Sequence, residues 1–550
     1  MKRNLLLTTA LLLMLILSAA CDTDAGTPVA PATAPDAPAP AAAAGETAVV
    51  ADDTPIRFSM AGARVDTAPP IGEVPIVVEL MEYANVEIEW IDWPSSVLSE
   101  RMALAFNTGD YPDAVFGAWV MNMGHVMNFS SQGMLVPIDP YFTPEIMPNW
   151  TRLITERPSW RTGLTTPDGH VYSLASLAEL SLRPIQDAHI INRTWLDRLG
   201  LDMPTTTDEL KDVLIAFRDA GDELGSEVIP MSLHWNNHIR GQHSIMGWWG
   251  HAGMHGGGFN IRDGQVVWDA VQPEYKEMIQ FLSELHAEGL LDQEIFTQTN
   301  ATYLAKILRD YDQMVGVFVD WCIGYPRNTN IDSEYEFELI PPLRAHPDVE
   351  PRWQARVTPI TANMGFMMTD AADPALRPYI LSFIDLFYDT EISIRNFYGE
   401  VDHNIYHVEG IYWNFVHGAS QPMSEREQLV MTNRGLWGVL EEEFAWHTVT
   451  QTQEWNLETI DMYYDYMNPT PFVSLWAYPE EAEEISILSA DLDNFALVQA
   501  AHWVSGGGNI ADEWDAYLAQ LDAMGLGRLL EIQQNIWNRG PYTQTAWRWR

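Results

Sequence analysis

"VEIEWIDWPSSVLSERMALAFNTGDYPDAVFGAW", residues 86–119, changes its hydrophobic period twice. Val86–Pro94 alternates apolar and polar side chains, the period-two pattern of a half-buried strand. From about Val97 to Ala105 the apolar positions fall at helical spacing; Gly109-Asp110 then turns the chain, and a short apolar run ends at Phe116. Upstream, "IRFSMAG" (56–62) reads as an earlier strand and "PIVVELMEYA" (75–84) as the helix that follows it. Strand, helix, strand, helix, strand in close succession is the signature of a mostly parallel sheet, so the class is α/β.

The pattern continues downstream. "TTPDGHVYSLA" (165–175) predicts a hairpin whose tight turn is Asp168-Gly169. A strand over "AHIIN" leads to a short helix, Thr194 to Leu199, stopped by Gly200; Thr206 or Thr207 then caps a longer helix over about 208–218. An amphipathic helix over Pro273–Glu288 ends at Gly289, and a helix near 301–310 precedes the strand "MVGVFVDWC". "EFELIPPL" (336–343) reads as a strand and "PALRPYILSFIDLFYD" as a strong helix with Pro374 in its first turn. From about Ser424 the chain reads as mainly helical, and no fixed-period repeat occurs.

The amino terminus has another logic. Lys2 and Arg3 precede an apolar run, Leu5–Leu17, too short for a comfortable membrane span, and small residues lead to Cys21. Residues 1–20 therefore read as a signal peptide. Cleavage before Cys21 would leave a thiol for a diacylglycerol thioether, and two or more acyl chains anchor far better than one. A lipobox usually has Leu three places before the cysteine; here Ser18 stands there and Leu17 comes one step earlier. Ordinary secretion with a chance cysteine, or an uncleaved anchor, are the alternatives. Residues 21–53, rich in Pro, Ala and Thr, cannot bury enough surface to order themselves and read as a spacer.

About 495 residues follow from Thr54, more than one core usually holds, so two lobes are expected in 54–550. Cys322 has no partner but Cys21, and a body of this size does without a disulfide. The 76 acidic residues outnumber 30 basic ones, of which four are lysines. No basic stripe offers itself to nucleic acid or to anionic lipid, which makes the acyl anchor more necessary.

Several segments together resemble the large extracellular solute-binding lipoproteins of bacterial carbohydrate ABC importers, the group that includes alginate-binding proteins. They are "TGDYPDAVF" (108–116), "GMLVPIDPYF" (133–142), "DGHVYSL" (168–174), "NRTWLDRLGLDMPTTTDEL" (192–210), "EYKEMIQFLSELHAEGLLDQEIFTQ" (274–298) and "WDAYLAQLDAMGLGRLLEIQQNIWNR" (514–539). The resemblance implies a two-lobed periplasmic-binding-protein-like fold with a helix-rich carboxy-terminal part and a chain that crosses between lobes. It implies that an oligosaccharide binds in the interlobe cleft, that closure follows, and that the closed form docks on the permease. The expected location is the outer face of the cell membrane, held by lipid. One loop departs from the family: relatives often carry an Asp-Pro-Asn-Gly-Asn-Gly calcium site where this chain has "DAGDELGSEVIP" (219–230). Asp219, Glu223 and Glu227 are left as weak candidate ligands, and calcium needs six to eight oxygens around a tight turn. No cofactor is expected, and calcium at most weakly.

Sugar rings want flat aromatic platforms beside short polar groups. Trp119 lies just past the end of a strand, at the carboxyl edge where open α/β sheets bind ligands. "MSLHWNNHIRGQHSIMGWWGHAGMHGGGFN" (231–260) offers Trp235, Asn236, Trp248 and Trp249 among glycines, with one of the paired tryptophans expected to face the core. Asp320 and Trp321 end a strand, and "GIYWNF" (410–415) places Tyr412 and Trp413 at a turn. Each of these residues could equally be packing. His251 and His255 are spaced i, i+4, but in a Gly-rich stretch that reads poorly as helix, so no zinc is expected. Asp113 reads as structural, holding the turn after Pro112. Two rival functions stay open. A glycoside hydrolase needs two carboxylates at a set separation, which a chain this acidic cannot exclude. A binding lipoprotein for a non-sugar solute, such as a peptide, would need anchors for both chain ends.

Overall fold

The computed structural model describes residues 54–540 except 65, 67, 179–186, 226, 236, 238–239, 254–257, 309–312, 321, 324–325, 328–334, 354–359, 401–404, 409–411, 416–427, 432–434, 441–442, 444–450, 469–471 and 473–475. The leader, Cys21 and the spacer lie outside the described residues. Along the chain come β1 (Ile56–Arg64), β2 (Val86–Pro94), β3 (Ala114–Asn122) and β4 (Ser173–Ala178). β5 (Ala188–Asn192), β6 (Ile229–Ser232), the hairpin β7 (Phe259–Arg262) and β8 (Gln265–Trp268), β9 (Val315–Asp320) and β10 (Phe337–Leu339) follow. Then come β11 (Ile360–Met368), the pair β12 (Ile405–Val408) and β13 (Tyr412–Phe415), and β14 (Gly438–Val439).

Two sheets organise these strands, in the orders β14-β4-β11-β3-β1-β2 and β10-β5-β9-β6. β1 is parallel to β2 and β3, as the opening pattern requires, and β6 is parallel to β9. The sheets are nonetheless mixed. β11 lies antiparallel between β3 and β4, and β5 antiparallel to β9 and β10. The reason is where the chain comes from. A strand reached through a helix within its own lobe runs parallel to its predecessor. β5 and β11 arrive instead from the other sheet, and enter at the edge where their neighbours end.

Each sheet carries its own core. Phe58, Phe116, Leu174, Phe366 and Phe387 belong to the first. Trp195, Phe217, Met278 and Leu285 belong to the second, with Leu492, Trp503, Tyr517 and Ile510 from the closing helices Pro479–Val504, Ile510–Ala523 and Leu526–Arg539. A third set, including Ile190, Phe318, Trp353 and Tyr463, also builds on strands of the second sheet. The chain serves these cores alternately: first core to Ala178, second from Ala188 to Trp353, first again over 364–440, second at Tyr463, first at Trp476, second from Leu492.

Local rules explain most elements. Thr206 caps the helix Thr207–Asp219 in a reciprocal box with Glu209, and Gly289 (φ 69°) follows the helix Pro273–Ala287. Asp113 is structural: its carboxylate accepts from Ser59 N–H and Oγ–H, both at 2.7 Å, tying β1 to the turn before β3. Three expectations need correction. The turn at Asp168-Gly169 forms, but no hairpin does, because β4 pairs with β11 and β14. The helix near Pro374 begins at Arg377, and Pro378 is the proline in its first turn. The strand expected over 336–343 is confined to Phe337–Leu339.

Asp385 holds two far-separated helices of the first core together. It accepts from the amides of Asn149 (3.0 Å) and Trp150 (2.8 Å) at the start of the helix Pro148–Glu156. Burial pushes its carboxyl up to about 7, against the pull of those donors. A proton then binds the folded chain more tightly than the unfolded one, so this stabilisation is full below about pH 4 and is lost as pH rises through 7. Asp385→Asn should flatten the fall in stability between pH 4 and 7, measured as the difference between native and variant denaturant midpoints across that range.

Candidate functional site

The two sheets present corresponding edges. In the first, β3 and β4 end where β11 begins, with Asn122 opposite Asn363 and Leu177 opposite Ile360. In the second, β6 and β9 end where β5 begins, with Asp320 opposite Ala188. The chain leaves one sheet for the other at these edges, between Ala178 and Ala188 and again between Trp353 and Ile360. Carboxyl edges of strands are where open α/β sheets bind ligands, so the candidate site is the space these two edges bound.

Trp119 lies within β3, where the ladder to β11 shifts register between Phe116 and Met121. Such irregularities recur beside binding sites because they re-aim side chains. The Trp119 side chain, Asn236 and Trp321 all lie outside the described residues. Tyr412 and Trp413 sit in β13, paired with Val408 and His407, rather than at a turn, and their side chains are likewise outside the described part.

The second sheet's edge is better defined. Asp320 ends β9 with its side chain fully buried, and Arg240 Nε donates to its Oδ1 at 2.7 Å. Arg240 also reaches Asn300 Oδ1 at 3.3 Å, and its carbonyl accepts from His234 N–H. Sequence reasoning chose Asp320 and missed Arg240; the isolated Arg in "NNHIRGQH" was the available signal, but its partner lies 80 residues away. A buried ion pair of this kind is strongly destabilised by losing either member. Trp235 follows β6, is 4 % exposed and meets Phe296 edge-on at 4.9 Å. Its indole N–H is buried without an acceptor among the described residues.

Trp248 and Trp249 both belong to the second core. They end a 3₁₀ segment, Gln242–Trp249, and Trp248 spends its indole N–H on His189 Nδ1 at 3.1 Å. Both were expected as possible platforms, with one facing inward; the structure buries both: Gly247 lets the segment pack directly on the Arg352 backbone, and Gly253 lets the chain that follows fold back onto His243. His251 is used by Asp269, at 2.7 Å, and His255 lies outside the described residues.

The eroded calcium loop is occupied by a helical turn, Gly221–Leu224. Asp219 pairs with Arg218 at 2.8 Å, and Glu223 and Glu227 are exposed. Among the described residues no three His, Cys, Asp or Glu side chains are gathered as a metal site.

Comparison with known proteins agrees with this architecture. The family model for bacterial extracellular solute-binding proteins matches residues 73–317. The fructooligosaccharide ABC transporter substrate-binding protein FusA of Streptococcus pneumoniae is 27 % identical over 90 % of this chain and 92 % of its own. Its structure in complex with kestose aligns with a TM-score of 0.73 at 25 % identity, covering 88 % of this chain and 99 % of that one. An HMO-binding, ABC-transporter-associated solute-binding protein from Bifidobacterium longum infantis shares the fold, with a TM-score of 0.77 at 21 % identity over 90 % of this chain and all of that one.

The burial of Trp248 makes a distinct prediction. Trp248→Ala should lower stability by about 3–5 kcal/mol, as large core truncations do, seen as a lower denaturant midpoint. A chelator should leave the melting temperature within about 2 °C, since the described residues of the loop at 219–230 gather no ligand set.

Proposed function

We propose that the chain is an extracellular solute-binding protein of a bacterial carbohydrate ABC transporter, one that captures a neutral oligosaccharide between its two sheet edges and delivers it to the permease. Members of this family bind solutes without catalysis, so the glycoside hydrolase reading falls away. The likeness to a fructooligosaccharide-binding protein along nearly the whole chain is the observation that carries the choice of an oligosaccharide over a peptide.

Electrostatics supports a neutral ligand. The buried cation at the second edge, Arg240, is matched by Asp320 at 2.7 Å, so an acidic sugar would meet no excess of positive charge there. The chain's formal charge of −46 adds long-range repulsion against any polyanion. A neutral sugar faces neither cost. Its hydroxyls would meet the polar strand ends and loops of the two edges, and Trp321 and Trp413 would supply stacking faces. Binding that contacts both edges at once favours the closed arrangement by its differential affinity.

The same reading gives the amino terminus its use. A lipid on Cys21 holds the receptor at the membrane, and the spacer over 21–53 lets the folded body reach the permease.

Two measurements test this. Calorimetry should show reversible binding of a neutral fructooligosaccharide at micromolar affinity or better, with the sugar recovered unchanged and no heat from oligogalacturonate. Trp321→Ala and Trp413→Ala should each weaken it about thirtyfold, or about 2 kcal/mol, at unchanged melting temperature. Heat from peptides alone would overturn the sugar reading. Intact mass of the membrane-extracted protein should begin at a diacylglyceryl Cys21, and any other first residue would remove the anchor.

A further inference from the structure

Two passages between the cores meet at one place on the second, and the segment leading to a third joins them there. The first arrives at Asp187, a non-glycine residue held at φ 62°, immediately before β5. Another leaves just past Trp353, and a third leaves beyond Phe472, which still packs against the second core after the helix Gln451–Tyr463 and its short 3₁₀ extension.

Aromatic rings join these three. His189, the second residue of β5, is 1 % exposed and meets Trp353 at 4.6 Å between centroids. Trp353 stacks on Tyr463 at 4.0 Å with planes 26° apart. The backbone follows the same path. Trp353 N–H donates to Tyr466 O at 2.8 Å, and Asn468 N–H donates to Trp353 O at 2.9 Å. Tyr463 donates its hydroxyl proton to Ile340 O, whose own N–H donates to His189 O at 2.8 Å.

The histidine is fixed from its other side. Its Nδ1 accepts the Trp248 indole N–H, which in a neutral ring puts the proton on Nε2, 3.0 Å from Ser244 Oγ. Burial, with a smaller push from His243, drives the ring down to about 3, so it keeps this tautomer across ordinary pH. Arg352 N–H donates to Gly247 O, and a Cβ on Gly247 would collide with Arg352 O. The approach is closer than any other residue would permit.

We propose that His189, Trp353 and Tyr463 form a clasp that sets the standing orientation of the two sheets, and so positions the binding site without touching ligand. An ordinary core stack would hold one lobe together. His189 and Trp353 instead sit at the second core's ends of two separate passages, and Tyr463 ties the segment leading to a third onto them, so freedom gained there loosens one sheet relative to the other. The importance of that orientation for sugar rests on the reading above; the clasp itself does not.

Spin labels on Leu104→Cys and Ile487→Cys, exposed positions packed with different cores, report the orientation without ligand. The native clasp should give one narrow distance distribution. Trp353→Ala should broaden it, with far-ultraviolet circular dichroism unchanged. If the competent orientation falls to about a tenth of the population, affinity for fructooligosaccharide falls about tenfold. Trp353→Phe, which keeps a stacked ring, should stay near native in both readouts. Should Trp353→Ala fail to fold, Tyr463→Leu carries the same expectation. A folded Trp353→Ala or Tyr463→Leu protein with the native distribution overturns the clasp, whatever it binds. A broadened distribution in a chain that binds no sugar would leave the clasp standing and remove the ligand reading instead.

Discussion

A folded body of nearly 500 residues cannot bury its apolar side chains around one core, and here a single chain has to build two. It does not finish one before starting the other. It returns to the first core with β11 and again with Trp476, whose indole N–H donates to Gly163 O. From this constraint the mixed sheets follow, since β5 and β11 must enter from the edge that faces the other sheet. The location of the site follows as well. Edges from which the chain departs are the edges where parallel strands end, so the backbone groups and loops that can meet a ligand gather between the two sheets.

Charge then narrows what can sit there. Basic residues are scarce, and buried ones are committed: Arg240 to Asp320, and Lys306 to Asp292 at 2.7 Å beside Ser232. Among the described residues, the buried cation at the edge of β9 is already matched by a carboxylate.

Much of this was legible in the sequence because it rests on local rules. The period change across residues 86–119 gives the βαβ start, Thr206 with Glu209 gives a capping box, and Gly289 ends a helix. What could not be read depended on partners distant in sequence. The direction of β11 depends on which lobe the chain has just left. The turn at Asp168-Gly169 forms by its own chemistry, but the partners of β4 come from 360–368 and 438–439. Trp248 and Trp249 stand among glycines that suggested an open loop. Those same glycines permit close approach to Arg352 and His243, which is what buries the pair. Arg240 was overlooked because its partner lies 80 residues away.

The central claim is that ligand draws the two sheets together over the space between their edges. Small-angle scattering on the lipid-free chain, with and without saturating neutral fructooligosaccharide, tests it most directly. The account predicts a smaller radius of gyration in the bound sample, reversed when the sugar is dialysed away. An unchanged radius under conditions where calorimetry shows the site filled would contradict it.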